Sequence, residues 1–366
     1  MVIILAVFAI SCSSEGGAGG ELNEWSVVEG EQQTFPVGNV GAVDEERFYA
    51  MRGRSGGVRQ LRAYSRSDGS VMWSQGVRGP CQPPIVTRDI VFCPGSDLFA
   101  FEAESGNPIW ELQSDNSFAL VSGTADERRV FAGTLTEAIA ADARTGQVLW
   151  RRNFTGGGWV GVGLRSFTLD GGDLLVSMDA KYSANGFFSS SVVFALDPET
   201  GEERWRFEDG GPDTDKSIGT LTVWENLVLF SDGRQEFTAF DRQTRRVVWR
   251  VETAPGFLGT RRAPAVADGV AYFATGTSIY AVNARSGAAI WAASPQNASY
   301  FSHDVCGPLL LANNSGLTLM NREDGSVRGF RFGSVNESVG QTAVADGFAY
   351  VSTLNAVYAL DCNAAR

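Results

Sequence analysis

A thirteen-residue module recurs along this chain, and that recurrence restricts the fold more than any other feature of the sequence. VFALDPETGEERW (Val193–Trp205) and IYAVNARSGAAIW (Ile279–Trp291) set the pattern. LRAYSRSDGSVMW, LFAFEAESGNPIW, AIAADARTGQVLW and FTAFDRQTRRVVW repeat it, ending at Trp73, Trp110, Trp150 and Trp249. Two further copies are altered: LTLMNREDGSVRG has Gly329 in the tryptophan place, and VYALDCNAAR ends after its aspartate corner. The alanine of the module, or its substitute, falls at Ala63, Ala100, Ala140, Ala195, Ala239, Ala281, Leu319 and Ala359. A period of about 40 residues is that of four-stranded propeller blades, each of which buries its apolar faces only against its neighbours.

Each module reads as a β-hairpin: an alternating apolar segment, an Asp/Asn corner closed by glycine, and a short segment ending in tryptophan. Gly69, Gly106, Gly146, Gly201, Gly287 and Gly325 stand six residues after the alanine, where the corner needs positive φ. Arg245 holds the same place in its module, which predicts a strained turn there. A second hairpin precedes each module. Its return strand is nearly continuous in apolar residues, as in RDIVFCPG, ENLVLFSD, DGVAYFAT and DGFAYVST, the pattern of a strand covered on both faces. The last module lacks its outer strand, and LNEWSVV (Leu22–Val28) supplies one, with Trp25 in the tryptophan place. The expectation is an all-β, eight-bladed propeller over residues 22–366, its ring closed by an N-terminal strand, which leaves no long free edge. A ring at a fixed blade position packs against the next blade, so the repeated tryptophans read as structural. Trp159 and Trp224 lie outside the register.

Charge and composition narrow the function. Thirty Lys and Arg against 42 Asp and Glu give a net charge of −12, and with no basic cluster to neutralise phosphates nucleic acid is not an expected partner. His303 is the one histidine, too few for imidazole-based metal binding or most acid-base catalysis. At the N-terminus, MVIILAVFAIS is too short to span a bilayer. It reads as a signal peptide (residues 1–11) ending at a lipobox-like Ala9-Ile10-Ser11-Cys12, with Cys12 the lipidated residue and residues 12–21 a Gly/Ser-rich tether. Cys81, Cys93, Cys306 and Cys362 remain, an even number that suits disulfides in an oxidising compartment; unpaired core thiols are the other reading. Their places at the blade ends favour Cys81 with Cys93 and Cys306 with Cys362.

The Ala-Leu-Asp, Thr-Gly, Trp module resembles the PQQ-like repeat found in quinoprotein dehydrogenases and in the BamB lipoproteins of outer-membrane assembly. The dehydrogenase branch implies pyrroloquinoline quinone over a tryptophan, Ca²⁺ on Glu and Asn oxygens, a catalytic Asp and a disulfide between adjacent cysteines. This sequence has no adjacent cysteine pair, and Asp142, Asp197, Asp241 and Asp361 occupy turn positions. The expectation is therefore no cofactor, no metal and no enzyme. An eight-bladed propeller of this size behind a lipobox is most similar to the BamB branch. That resemblance implies a scaffold on the periplasmic face of the outer membrane, Ser13 after Cys12 being consistent with sorting there, and docking on a POTRA domain of a barrel-forming subunit. Leu258, Arg261 and Arg262 fall in a segment like the family's Leu/Arg loop, and the following loop, Gln296–Val305, offers only Asp304 as the acidic counterpart. An exported ligand-binding propeller is the alternative, and a dehydrogenase the less favoured one.

The chain also inserts residues of its own. Trp150 to Trp205 spans 55 residues against 37 to 48 elsewhere, and the excess is assigned to a loop Asp179–Ser191 carrying Tyr182, Phe187 and Phe188. Aromatics grouped on a loop are typical interface anchors. Folding back over the blade is the other reading.

Overall fold

The computed structural model describes residues 2–4, 23–28, 40–53, 59–79, 81, 83–113, 123–156, 158–182, 190–211, 216–232, 236–253, 263–275, 277–294, 302–313, 316–331, 342–353 and 356–364. They form an all-β, eight-bladed propeller of four-stranded antiparallel blades. Blades 1 to 7 span 40–77, 85–112, 124–153, 161–210, 222–252, 265–293 and 302–331, and blade 8 combines 342–361 with 23–28. A short strand, Val2–Ile4, is additional to these. The chain divides into two compact units: one holds blades 2 to 5 within Arg78–Arg250, the other blades 1, 6, 7 and 8 within Val2–Val77 and Pro264–Arg366.

Ring closure follows the truncated module. Strand Asn23–Val28 pairs with Ala356–Asp361, and Trp25 stands opposite Ala359, the register of Trp73 with Ala63 and of Trp291 with Ala281. In blades 1 to 4 and 6 to 8 the third-to-fourth register shifts beside this position, which places a tryptophan, or Gly329 in blade 7, at the same bulge.

In the unit of blades 2 to 5, tryptophan docks on the corner of the following blade. The Trp110 indole N–H donates to Ala143 O at 2.9 Å, and that of Trp150 to Pro198 O at 3.0 Å. Gly146 and Gly201 lie beneath these rings, where a Cβ would come within 2.6 and 2.7 Å of ring carbons, so both positive φ (70° and 72°) and close approach demand glycine. Apolar residues fill the space between blades. Phe131, Trp150 and Phe154 of blade 3 meet Leu174, Val176, Met178 and Phe194 of blade 4, each such side chain contributing about 1.5–3 kcal/mol by leaving water. Second strands such as Leu227–Ser231 are buried at every position, which is why they read as continuous apolar runs. Arg245 has φ 57°, the left-handed conformation expected there without a glycine. Trp205, preceding that corner, sends its N–H to Asp173 Oδ2 of its own blade at 3.3 Å.

In the unit of blades 1, 6, 7 and 8, Trp291 repeats the docking, with its N–H on Arg322 O at 3.0 Å and its ring over Gly325. Ion pairs clip turn to turn: Arg66 of blade 1 to Asp346 of blade 8 at 2.8 Å, and Arg322 of blade 7 to Asp268 of blade 6. The other unit carries the same clip between Arg242 and Asp170.

The excess length of blade 4 is distributed differently from the loop Asp179–Ser191 that the spacing suggests. Its first two strands run Gly161–Asp170 and Asp173–Lys181, and its third begins at Ser190. Asp179 and Ser191 are thus paired strand residues, and the extra residues partly lengthen the sheet. The physical reason is burial of polar strand ends: Asp179 is fully buried and held by Arg165 and the Ile218 N–H.

Candidate partner-binding surface

Within the unit of blades 2 to 5, second-to-third loops and blade-to-blade connections emerge at the same end of each sheet. At that end of blades 4 and 5 the sheets are polar. Asp179, Ser191 and Asp209 stand opposite one another across three adjacent strands. The Asp179 carboxylate is fully buried, accepts the Arg165 guanidinium (Nε 2.7 Å, Nη2 2.5 Å), and takes the backbone N–H of Ile218 at 2.6 Å. It thereby ties the connection between the blades to the sheet. Asp209 receives a bidentate pair from Arg250 of blade 5 (2.7 and 2.8 Å). Glu236 draws both Arg250 and Lys216 to 2.5 Å. Asp209 foremost, ahead of the opposing cost of burial, holds the Arg250 guanidinium above its ordinary value. Fork geometry and partial burial make this lattice stronger than separate surface pairs.

Apolar groups flank it. Leu135, in the second-to-third loop of blade 3, is 39% exposed, and Val160, in the connection to blade 4, is 60% exposed. Val160 N–H donates to Lys181 O and Leu164 N–H to Leu135 O, so backbone hydrogen bonds hold the segments that present both side chains. Trp159 is packed rather than free: its ring meets Phe194 edge-on at 6.2 Å, with the Arg206 guanidinium 5.8 Å above it. Trp224 is half-buried at the end of Thr222–Trp224.

Tyr182 follows the second strand of blade 4, half-buried, and its hydroxyl donates to Glu208. Phe187, Phe188, Leu258, Arg261, Arg262 and Cys12 lie outside the described residues. Asp304 corrects the loop reading: it sits within strand Ser302–Cys306, opposite Leu311, and accepts a hydrogen bond from Thr342 Oγ1. An apolar strand partner and a hydroxyl from the neighbouring blade retain it inside the sheet. Cys81 with Cys93 and Cys306 with Cys362 are disulfides, with Cα separations of 5.0 and 5.7 Å.

Corner carboxylates serve the backbone. Asp142 accepts Thr145 Oγ1 and the N–H groups of Arg144 and Thr145, and these bonds hold it below the usual aspartate range. Asp197 is lowered first by Arg204, then by the N–H of Glu199. Among the described residues no three His, Cys, Asp or Glu side chains converge as a cation cage. Spacing did not reveal the Asp179, Asp209, Glu236, Arg250 and Lys216 lattice; charged residues at strand ends read as solvated until the neighbouring blade is in place.

Comparison with known proteins agrees with this architecture. Residues 19–158 and 136–363 match the model of the family described as outer membrane protein assembly factor BamB. The crystal structure of BamB from Moraxella catarrhalis superposes with TM-score 0.70 at 14% identity, covering 93% of this chain and 99% of that one; this likeness is one of fold. A tetrathionate hydrolase of Acidithiobacillus ferrooxidans is 22% identical over 247 residues, 64% of this chain and 50% of the relative. A quinoprotein ethanol dehydrogenase of Pseudomonas aeruginosa is 30% identical over 145 residues, 35% of this chain and 23% of that protein. The chain therefore spans half or less of the curated relatives it matches.

Proposed function

Because this chain belongs to the family of the outer membrane protein assembly factor BamB, we propose that it is a non-catalytic, lipid-anchored scaffold that binds protein partners in outer-membrane β-barrel assembly. The observation carrying this reading is the extent of the family match, which runs from residue 19 to residue 363 and takes in all eight blades. Supporting it, the described corner carboxylates are engaged by backbone and hydroxyl donors. Leu258, Arg261 and Arg262 are the residues assigned to docking a POTRA domain, with Tyr182, Phe187 and Phe188 as a second contact. Cys12 is assigned the lipid that holds the scaffold at the periplasmic face of the outer membrane.

Affinity capture of the tagged lipoprotein from gently solubilised membranes tests the proposal. Recovery of a POTRA-containing barrel protein, reduced in a Leu258→Ala/Arg261→Ala/Arg262→Ala variant, is the expected result. Intact, membrane-bound bait without that protein overturns it. Palmitate labelling lost in Cys12→Ser checks the anchor.

The 30% identity to a quinoprotein ethanol dehydrogenase over 145 residues, more than three blades, favours one second reading, a quinone-dependent oxidoreductase. Purified protein loaded with pyrroloquinoline quinone and Ca²⁺, assayed for dye-linked alcohol oxidation, decides it: turnover would displace the scaffold reading, whereas failure to retain the quinone would remove the alternative.

A further inference from the structure

We propose that the Cys306–Cys362 disulfide is a redox latch for the ring-closing blade, replacing both non-covalent devices that join the neighbouring blades of its unit. Between blades 6 and 7 those devices are the Trp291 ring over Gly325 and the Arg322–Asp268 pair. Between blades 8 and 1 the Arg66–Asp346 pair serves. The residues that would build them between blades 7 and 8 are missing. Gly329 faces Leu319 in the register that sets Trp291 against Ala281, and the space around its Cβ position is open.

Backbone hydrogen bonds fix the other correspondence. Arg66, Arg322 and Cys362 each follow the corner residue of a module and donate their N–H to a carbonyl in the first-to-second turn of their own blade: Glu46 O at 2.8 Å, Pro308 O at 3.1 Å and Gly347 O at 3.0 Å. Cys362 therefore occupies the place of the clipping arginine. On the other side, the pairs Ala267 with Val270, Ala345 with Phe348 and Cys306 with Leu309 superpose the three first turns. Gly307 then stands where Asp268 and Asp346 supply their carboxylates, and Cys306 directly precedes it. The disulfide spans the gap that the ion pair spans elsewhere, between residues 56 apart in sequence.

The surroundings favour a covalent joint. Both cysteines are buried among Leu309, Leu311, Leu319, Val351 and Leu360, an apolar setting in which an ion pair would lose its hydration. The Asn363 side chain lies against the turns at Gly307 and Gly347, where a Cβ would come within 2.9 and 2.8 Å of it, so the segment after the latch is seated on both blades. A dithiol opens the latch by ordinary exchange: the sulfur–sulfur bond breaks, two cysteine thiols form, and the dithiol becomes a disulfide. Blade 8 then keeps apolar packing, the Thr342–Asp304 hydrogen bond and the seat of Asn363 on its blade 7 side, with no covalent joint and neither the tryptophan nor the ion-pair device.

Hydrogen exchange read by mass spectrometry on Cys306→Ser/Cys362→Ser tests this, with Cys81→Ser/Cys93→Ser as the comparison. Expected is a loss of amide protection of tenfold or more in residues 23–28 and 342–361, with blades 2 to 5 unchanged, and no such loss in the comparison variant. Undiminished protection in blade 8, a loss spread evenly over all blades, or the same loss in the Cys81/Cys93 variant overturns the proposal. Where the serine variant does not accumulate, wild type refolded with dithiothreitol present, its thiols mapped by alkylation, gives the same readout.

Discussion

Trp150 and Gly201 form one joint: the ring carbons of Trp150 lie where a Cβ on Gly201 would come within 2.7 Å, while the indole N–H reaches Pro198 O at 3.0 Å. The corner of one blade is thus the seat for the outer strand of the blade before it. Gly201→Ala meets two penalties, a left-handed backbone at φ 72° and an overfilled seat. Together they are expected to destabilise by about 2–4 kcal/mol, read by urea unfolding with an unchanged m-value.

Arg245 predicts the opposite sign. It holds φ 57° with an exposed side chain, a conformation that costs a non-glycine residue roughly 1–2 kcal/mol. Arg245→Gly removes that strain but adds unfolded-state freedom, so a gain of about 0.5–1 kcal/mol is expected. A lower melting temperature for the variant would show that Arg245 makes a contact outweighing the strain.

These two sites also show what the sequence makes legible. The glycine corners, the exception at Arg245, and the pairing of Trp25 with Ala359 all follow from a repeat in which position implies conformation. Disulfide partners were legible for the same reason, since blade topology places the ends of strands. The polar seam of blades 4 and 5 was not. Asp179 and Ile218 are 39 residues apart, and Arg250 and Asp209 are 41; period-2 patterning separates the two faces of a strand but does not say which charged end meets a neighbouring blade. The Ser-His-Asp run at residues 302–304 carries no strand signal, so Asp304 reads as a loop residue, although Asn313, Ala312 and Leu311 pair with the run as a sheet.

Asp179→Asn tests the seam. The substitution leaves the Arg165 guanidinium without its anion and weakens the tie to Ile218 N–H. Breaking a buried pair from one side costs 3–5 kcal/mol, and because Arg165 retains some solvent exposure a loss of about 2–3 kcal/mol is expected in equilibrium unfolding. Hydrogen exchange should rise first around residues 217–224.

Stability should be flat through neutral pH and fall at both extremes. Asp142, Asp197, Asp241 and Asp324 are all held below the ordinary aspartate value, chiefly by Thr145, by Arg204, by the Thr244 N–H and by Ser326 respectively. A lowered carboxylate adds stability above its unfolded value, about 3.9, which disappears as pH falls below that. At the alkaline end, burial, then the hydrogen bond to Asp44, pushes the Tyr49 hydroxyl well up, and burial raises Tyr272 and Tyr280. A raised phenol keeps its contribution up to the unfolded value of about 10 and loses it beyond. Melting temperatures from about pH 5 to 9 should therefore agree within a few degrees, with a decline below about pH 4 and above about pH 10.

The proposed aromatic contact is open to a direct test. Tyr182 is oriented by its hydroxyl bond to Glu208, and exposed Val160 is tied to Lys181 O one residue before it; the proposed contact adds Phe187 and Phe188, which follow in sequence. Phe187→Ser/Phe188→Ser is expected to lower recovery of the barrel-assembly partner by tenfold or more while leaving the melting temperature within about 1 °C, since truncating interface anchors typically costs 2 kcal/mol or more of binding. A melting temperature lowered by several degrees would instead assign both rings to packing over blade 4, and undiminished capture with full stability would move the contact to Leu258, Arg261 and Arg262.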